Sequence, residues 1–362
     1  MTEEALVRMI FIHVGLAKTG TTALQSALRD VSAGGTTAVR YLGDAGLWQP
    51  GYGFRPPTSR RETTRFERLI RDQTIVVLSS ECLLGSLYDV YSKAEDRAAS
   101  MRDFFDPLGP FKVIIYLRPQ TQWLESAYVQ RVKERSAVEA DDFACTMLEK
   151  PNLAFASLVS DLNRALGPGR LVVRPYDSGI DVAMDFLELL GIDSPLRREG
   201  GRENISLSAP QVAVLRRLNE VVPSGDARML NMRAVFQTMV QSESPRYSPF
   251  SKVTQRRIRD FTEWDWANLV DFMMVHDKEQ ASRFRTVLDD VKVDPIEEPL
   301  PMDLSTSVAQ DEIVRVLVTA RYREQELIQA VRPFWPRAAR ALRRLMLDPI
   351  GFVNEVRRRW RD

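Results

Sequence analysis

The chain has 362 residues, of which 44% are hydrophobic and 27% charged, and its formal net charge is +1. Such a chain can bury a large core, as one big domain or one and a half, and its balanced charge gives no general attraction to nucleic acid. The two cysteines, Cys82 and Cys145, are too far apart in sequence to indicate a zinc site.

The N-terminal sequence gives no sign of secretion. Acidic residues precede a short apolar run, without the basic segment that begins a signal peptide. No apolar run approaches the roughly 20 residues that a membrane span needs. A reducing compartment is the default for the cysteines, and we expect a cytoplasmic protein.

The most informative stretch, residues 10–25, reads IFIHVGLAKTGTTALQ. An apolar run ends at Gly15, a tight loop follows, and two hydroxyl residues, Thr21 and Thr22, open a helical pattern. A strand, a glycine-bounded loop and a helix N-terminus in this order direct backbone N–H groups at one point and favour an anion there. Lys18 adds a mobile positive charge. The stretch therefore predicts a cradle for a phosphate-type anion.

The loop departs from the Walker A motif, G-x-x-x-x-G-K-[ST], because a threonine follows its second glycine and the lysine lies inside the loop. It resembles the 5′-phosphosulfate loop of the sulfotransferases that use 3′-phosphoadenosine 5′-phosphosulfate (PAPS). The likeness is strongest to bacterial sulfotransferase-like proteins with an H-x-G-x-x-K-T-G-T-T signature. The resemblance implies that the 5′-phosphosulfate is bound by Lys18, Thr19, Gly20, Thr21 and Thr22.

The next segments alternate between loop, helix and strand. Residues 38–42 favour a short strand, and the Gly- and Pro-rich residues 43–57 favour a long loop, either functional or a surface excursion anchored by its aromatic residues. A helix is expected over 61–71. The β-branched run TIVVLS, residues 74–79, is typical of a buried parallel strand.

The TIVVLS strand ends in Ser79, Ser80 and Glu81. Because ligands of open α/β sheets lie at the carboxyl ends of strands, Glu81 can face the same crevice as the anion loop and is a candidate general base. A structural interpretation stays open, in which Ser79 or Ser80 caps a helix that begins with Glu81. His13, two residues before Gly15, is the alternative base, or a strand-end histidine with satisfied hydrogen bonds.

A helix over 94–105 and a strand over 111–117 lead to a second motif, YLRPQTQWLESAYVQ. Arg118 follows the strand, and Ser126 lies about two turns into the next helix. An arginine fork and a serine donor can converge on a second phosphate, although an arginine at a strand end can also be a salt-bridge partner. The run resembles the 3′-phosphate-binding motif of sulfotransferases, an arginine after a strand with a serine eight residues on.

The middle of the chain is expected to add a helix over 153–166, a strand over 170–174 and a helix over 182–190. We assign Tyr176 to packing. The loop RREGGRENISLS, residues 197–208, looks like the N-x-S-L-S stretch common in the bacterial proteins. In better-known sulfotransferases a late basic loop closes over the 3′-phosphate, so the resemblance makes Arg202 a candidate nucleotide ligand.

The C-terminal third is expected to be mostly helical. Residues 209–293 complete the α/β core of residues 1–208, residues 294–308 form an acidic, Pro-rich linker, and residues 309–362 form a helical segment. Its arginine-rich tail, residues 332–362, interleaves basic and apolar side chains. It is predicted either to contact the anionic inner face of a membrane as a peripheral anchor or to pack its apolar side on the main domain.

The resemblance implies a three-layer αβα fold with a central parallel sheet of the P-loop/sulfotransferase type, followed by a mostly helical part. It implies sulfuryl transfer from PAPS to a hydroxyl or amine, without a metal; the acceptor would be a small molecule or a glycan. Lys18 would stabilise the bridging oxygen of the donor, and Arg118 and Ser126 would bind the 3′-phosphate.

Two other classes remain open from the residues. A P-loop kinase would need ATP and magnesium, and both the displaced lysine and the lack of an aspartate after Leu78 disfavour it. A non-catalytic member of the fold would bind a nucleotide or a partner without transferring sulfate.

Overall fold

The computed structural model describes the greater part of the chain, namely residues 9–16, 19–33, 39–49, 53–70, 73–176, 180–192, 207, 209–221, 248–293 and 296. Several predictions fall on residues outside these ranges: the roles of Lys18 and Arg202, nearly all of the linker 294–308, and the helical segment 309–362 with its membrane contact. They stay predictions.

A five-stranded sheet with parallel pairing throughout lies at the centre, in the order β2-β5-β1-β6-β7. A separate two-stranded antiparallel hairpin, β3–β4, accompanies it. The strands, in chain order, are β1 Met9–His13, β2 Val39–Tyr41, β3 Trp48–Gln49, β4 Gly53–Phe54, β5 Ile75–Ser79, β6 Phe111–Leu117 and β7 Leu171–Pro175.

Helices follow most strands of the five-stranded sheet and make up most of the described residues after β7. In chain order they are α1 Thr21–Ala33, α2 Arg60–Ile70, α3 Ala94–Phe105, α4 Gln120–Lys133, α5 Ala140–Leu148, α6 Phe155–Leu166, α7 Val182–Leu189, α8 Ala209–Val221, α9 Lys252–His276 and α10 Lys278–Val293. Short 3₁₀ turns follow α3 and precede α6.

Helices cover both faces of the sheet. On one face, Leu24 of α1 and Phe186 of α7 pack in one buried cluster with Ile114 of β6. Phe111, an odd number of residues away on the same strand, points to the other face, where its ring centroid lies 5.8 Å from that of Phe105 in α3. The three-layer αβα fold class is therefore confirmed, and so is the helical C-terminal part over the described residues 209–221 and 252–293.

A buried carboxylate joins α9 to the start of α6. Asp265, which is fully buried, accepts hydrogen bonds from the backbone N–H groups of Phe155 at 2.8 Å and Ala156 at 3.0 Å, and from Gln120 Nε2 at 2.5 Å. Trp266 Nε1 donates to Gln120 Oε1 at 2.9 Å. Burial raises the pKa of Asp265, while the three donors oppose that shift. This network ties α9 to the α/β layers.

Three parts of the chain differ from the sequence prediction. The expected long loop 43–57 contains the β3–β4 hairpin. Helix α5 was not predicted. Residues 81–93 form successive turns, so no helix begins after β5 as the capping interpretation of Ser79 and Ser80 requires. The β3–β4 hairpin and α5 are short elements, and their sequences contain too few residues to show a clear periodicity.

The chain forms two compact units. The first comprises Met1–Tyr128, Ala140–Glu203 and Lys252–Ile296, and the second comprises Val129–Glu139, Asn204–Ser251 and Glu297–Asp362. In the described part of the second unit, Asn219 Nδ2 donates to the backbone carbonyls of Val132 at 2.8 Å and Ser136 at 2.9 Å. Among the helices of the described ranges, none is long and apolar enough to cross a membrane.

Candidate anion-binding site

The candidate site lies at the carboxyl edge of the parallel sheet, within the first unit. His13 at the end of β1 is in register with Ser79 at the end of β5, and Leu117 at the end of β6 is in register with Pro175 at the end of β7. The residues that follow these strands therefore share one edge of the sheet, where ligands of open α/β sheets bind.

Two hydrogen bonds shape the described part of the loop between β1 and α1. Thr19, which is fully buried, donates its Oγ1 proton to the carbonyl of Leu16 at 2.6 Å. Gly20 has a φ of +77°, a conformation that glycine adopts without strain, and its carbonyl accepts the Leu24 N–H at 3.1 Å. The chain thus turns sharply into α1, whose first N–H groups have no acceptor within the helix and so favour an anion.

Gly15 is enclosed by two side chains. A Cβ atom on this residue would lie 2.4 Å from Thr21 Oγ1 and 2.8 Å from His13 Cε1, which is closer than such atoms approach in proteins. Only glycine therefore fits between the histidine ring and the first hydroxyl of α1. Thr22, by contrast, is exposed on α1.

His13 is enclosed completely. Its Nδ1 is hydrogen-bonded to Ser79 Oγ at 2.9 Å, and its ring meets those of Tyr116 and Phe186 edge-on, each at 5.8 Å between centroids. Burial lowers the pKa of His13 to about 3. A neutral imidazole this weakly basic and without access to solvent is poorly suited to take a proton from an acceptor. The interpretation of His13 as a catalytic base is therefore disfavoured by its surroundings.

Two buried polar atoms beside Gly15 have no hydrogen-bond partner among the described residues. They are His13 Nε2 and Thr21 Oγ1. The Cβ position built on Gly15 lies 3.2 Å from the first atom and 2.4 Å from the second, so both atoms border the same small region. Buried polar groups usually have a partner, and an oxygen of a bound anion or a water molecule would supply one here.

Glu81 lies on the turn that continues from β5. The N–H of Ser80 donates to the His13 carbonyl at 3.1 Å, which extends the β1–β5 pairing by one residue, and Ser80 Oγ accepts from the N–H of Cys82 at 3.3 Å. The Glu81 side chain is exposed. Burial raises the pKa of Cys82, and the charges of Glu81 and Asp44 raise it further, so this thiol is not activated.

Tyr176 connects the two sequence motifs. The Arg118 guanidinium carbon lies 5.4 Å from the centroid of the Tyr176 ring. The other motif approaches the same ring, because a Cβ on Gly20 would lie 3.5 Å from Tyr176 Cε2. The loop after β1 and the arginine after β6 thus both lie next to one aromatic side chain. Sequence reasoning assigned Tyr176 to packing alone; its position directly after a strand was the available signal.

Arg118 also contacts the helix that follows it. Its Nε donates to Gln122 Oε1 at 3.2 Å. Ser126, half-buried, lies one turn beyond Gln122 on the same face of α4, because residues four apart share a helix face. The predicted pair Arg118 and Ser126 is thus on one side of α4 with Gln122 between them, a residue that the sequence analysis missed.

A cluster of charged side chains surrounds the hydroxyl group of Tyr116 in β6. Asp185 in α7 accepts hydrogen bonds from Tyr116 Oη at 2.6 Å, Arg174 Nη1 at 2.8 Å and Arg283 Nη2 at 3.0 Å. Tyr116 in turn contacts the ring of His13. Burial and the neighbouring Asp185 raise the pKa of Tyr116 far above its ordinary value, so this hydroxyl stays protonated.

Comparison with known proteins gives distant matches. No protein-family model matches the chain. Over 114 residues the chain is 37% identical to an uncharacterised protein of Archaeoglobus fulgidus, a match that covers 30% of this chain and 30% of that protein. Among solved structures, the crystal structure of a sulfotransferase from Alicyclobacillus acidocaldarius has a TM-score of 0.41 and 16% identity, covering 77% of this chain and 99% of that one.

Proposed function

We propose that the chain is a sulfotransferase that moves a sulfuryl group from PAPS to a hydroxyl or amine of an acceptor, a small molecule or a glycan. The observation that carries the proposal is that Gly20 and Arg118 both lie next to the same Tyr176 ring. The two motifs are far apart in sequence and bind the two ends of one donor only if they lie side by side.

The described residues fit an anion of this type. Thr21 Oγ1, next to Gly15, is a buried donor without a partner in the described part of the chain. The N-terminus of α1, thirteen residues long, adds the partial positive charge of its dipole. Within the described ranges, no group of three or more His, Cys, Asp or Glu side chains could hold a metal ion.

The donor, when bound, supplies an activated sulfuryl group. The acceptor oxygen or nitrogen forms a bond to sulfur while the bond from sulfur to the bridging oxygen breaks. The nucleotide 3′-phosphoadenosine 5′-phosphate leaves with the electron pair, and Glu81 takes the acceptor proton. Lys18 would stabilise the developing charge on the bridging oxygen, as preorganised cations do at leaving oxygens.

Within this proposal His13 is a positioning residue. Its hydrogen bond to Ser79 links the end of β1 to the end of β5, two residues before Glu81, and its ring packs closely against Gly15. Glu81 is the preferred base because it is exposed at the edge of the sheet, whereas His13 is buried. Arg118, held by Tyr176 and Gln122, and Ser126 would bind the 3′-phosphate, and this would explain rejection of ATP.

The first test is a thermal-shift titration of the full chain with 3′-phosphoadenosine 5′-phosphate, with ADP and with ATP plus magnesium. A ligand that binds only the folded state stabilises it by about 2.7 kcal/mol at a hundredfold excess over its Kd. We expect a clear shift with the 3′-phosphorylated nucleotide and little with ADP. Transfer of labelled sulfate from PAPS to a panel of hydroxyl and amine acceptors then tests the reaction itself.

Arg170 provides a matched control for Arg118. Its guanidinium carbon lies 4.9 Å from the Phe111 ring centroid, at the opposite edge of the same pair of strands. We expect Lys18→Ala and Arg118→Ala to abolish the nucleotide shift and Arg170→Ala to keep it. A shift only with ATP and magnesium would replace the proposal with a kinase. Nucleotide binding without sulfate transfer to any acceptor would favour the non-catalytic interpretation.

A further inference from the structure

Arg97 of α3 is a buried charged residue that the proposed chemistry does not use. It is only 6% exposed. Burial lowers the pKa of Arg97, whereas the charges of Asp89 and Asp96 raise it. An arginine stays charged in proteins, and burying a charge costs free energy unless hydrogen bonds and opposite charges compensate. The described contacts of this guanidinium group lie in two segments, the turns that follow β5 and the β3–β4 hairpin.

The guanidinium group lies between two glycines. Arg97 Nη1 donates to the carbonyl of Leu84, and a Cβ atom on Gly85 would lie 2.7 Å from Arg97 Cζ. On the hairpin side, a Cβ atom on Gly53 would lie 2.8 Å from Arg97 Cδ. The φ angles are +121° at Gly85 and +77° at Gly53, so both the space and the backbone conformation require glycine. Arg97 therefore fastens the hairpin and the turns after β5 to α3.

We call residues 81–93 the Glu81 segment. Its far end is also held, because Asn152 Nδ2 donates to the Tyr91 carbonyl at 2.8 Å and the Tyr91 N–H donates to Asp89 Oδ1 at 3.0 Å. Val90 and Tyr91 have φ angles of +47° and +57°, which are unfavourable for side chains of this size and persist only where the surroundings impose them. The segment is thus kept in a conformation that these two residues disfavour.

The backbone is held on both sides of Glu81. One residue before it, the N–H of Ser80 donates to the last carbonyl of β1 at 3.1 Å. Two residues after it, the carbonyl of Leu83 accepts an N–H of the hairpin at 2.8 Å, and the next carbonyl, of Leu84, accepts from Arg97. The exposed carboxylate therefore extends from a backbone that is fixed at the end of β1 and again at α3.

We propose that Arg97 is a positioning residue for Glu81, which holds the Glu81 segment so that the exposed carboxylate reaches the acceptor proton. This inference rests on the proposed function, in which Glu81 takes that proton. A general base must lie within hydrogen-bond reach of the proton, and a misplacement of about 1 Å can cost about a hundredfold in rate. Arg97 touches neither donor nor acceptor in this scheme and acts only through the placement of Glu81.

Hydrogen exchange of the full chain, followed by mass spectrometry, tests the role of Arg97 without any substrate. Arg97→Met keeps an unbranched side chain and removes the donors. Peptides from the Glu81 segment should then exchange about tenfold faster, because a buried carbonyl loses its charged donor. Arg102→Met is the matched control. Arg102 lies in the same helix and donates to the Ala165 carbonyl at 2.8 Å, so its removal should leave exchange of the Glu81 segment unchanged.

Transfer from PAPS, with the acceptor of the panel that the wild type sulfates fastest, tests the effect on the reaction. Arg97→Met should lower kcat by about 10- to 100-fold. The Kd of 3′-phosphoadenosine 5′-phosphate should change by less than about twofold, because the anion loop and Arg118 are untouched, and this binding also verifies that the variant is folded. Arg97→Lys should recover much of the rate, because its ammonium group can still donate to the Leu84 carbonyl. Arg102→Met should keep the wild-type kcat.

A double-mutant cycle with Glu81→Gln separates positioning from general support of the fold. Glu81→Gln removes the base, so Arg97→Met should lower kcat little further in that background. Equal losses in the two backgrounds would overturn the inference, and so would unchanged exchange of the Glu81 segment in Arg97→Met. A wild type that transfers sulfate to no acceptor would overturn the proposed function and the positioning role with it. The exchange experiment, which needs no substrate, tells these failures apart.

Discussion

Replacing His13 by asparagine tests whether this histidine is held neutral inside the protein. Asparagine can keep the hydrogen bond to Ser79 Oγ, because its side-chain amide reaches about as far as Nδ1, but it has no group that takes up a proton. The unfolded chain has a histidine of ordinary pKa 6.5, whereas burial lowers the pKa of the folded His13 to about 3. Below pH 6.5 the histidine of the unfolded state therefore binds a proton, whereas the His13 of the folded state does not.

The sign and size of the effect follow from this difference. The stability contributed by neutral His13 is present above pH 6.5 and is lost progressively as the pH falls toward about 3. Between pH 7 and pH 5 the wild-type chain should lose about 2 kcal/mol of unfolding free energy through this residue alone. His13→Asn should lack that part of the pH dependence, although it starts from a lower stability at pH 7 because it forfeits the ring contacts.

Urea unfolding at pH 7 and pH 5 measures the difference. The other histidine, His276, is exposed at the end of α9, so His276→Asn removes a histidine without emptying a buried site. We expect it to keep the wild-type pH dependence. If wild type and His13→Asn lose the same free energy between the two pH values, His13 is charged or exposed, and the argument for Glu81 as the base fails with it.

Three further predictions concern the same unit. Gly15→Ala should cost about 1–3 kcal/mol by overpacking against Thr21 Oγ1, and the cost should shrink in combination with Thr21→Ala, as a double-mutant cycle of unfolding would measure. Asp265→Ala should lower the unfolding free energy by about 3 kcal/mol, seen as a lower urea midpoint, because it leaves three buried donors without their acceptor. Arg118→Lys should weaken binding of 3′-phosphoadenosine 5′-phosphate by about tenfold in a calorimetric titration with little change in stability, since lysine keeps the charge but loses the fork of guanidinium donors.

Each of these has an outcome that would contradict it. Strictly additive costs of Gly15→Ala and Thr21→Ala would mean that the two side chains do not compete for space. An unchanged urea midpoint in Asp265→Ala would mean that water replaces the carboxylate. Equal affinity of the lysine variant would mean that Arg118 acts through charge alone, and its guanidinium geometry would then have no part in binding.

Most elements of the α/β core could be predicted from the sequence. The run at 111–117 is apolar except for Lys112, as is typical of a strand buried on both faces, and the structure has β6 at those residues. Helix α3 likewise has the predicted bounds, Ala94–Phe105. Long, strongly patterned segments and glycine-bounded loops carry their structure in local sequence. The β3–β4 hairpin, with two residues in each strand, and the nine-residue α5 have too little pattern to recognise.

The partners of polar residues could not be predicted in the same way. In the sequence, Asp265 looks like any other acidic residue on a helix. Its three hydrogen-bond donors come from two segments more than a hundred residues earlier. In the sequence Tyr176 looks like a packing aromatic, because its two neighbours Gly20 and Arg118 lie in the loops after β1 and β6. Which polar residues become partners depends on the order of the strands. That order is a property of the whole sheet and cannot be inferred from any single segment.

The case of His13 shows how the strand order decides chemistry. β1 lies in the middle of the sheet, between β5 and β6, with α1 and α7 above it. A histidine at the end of a central strand is enclosed by both neighbouring strands, and burial removes its value as a base at neutral pH. Glu81, only two residues beyond the end of the next strand, already lies on an exposed turn. In the sequence alone, His13 and Glu81 both stand at strand ends and are equal candidates for the base. Their depth in the sheet distinguishes them, because His13 is buried beside the anion loop and Glu81 is exposed and free to take up a proton.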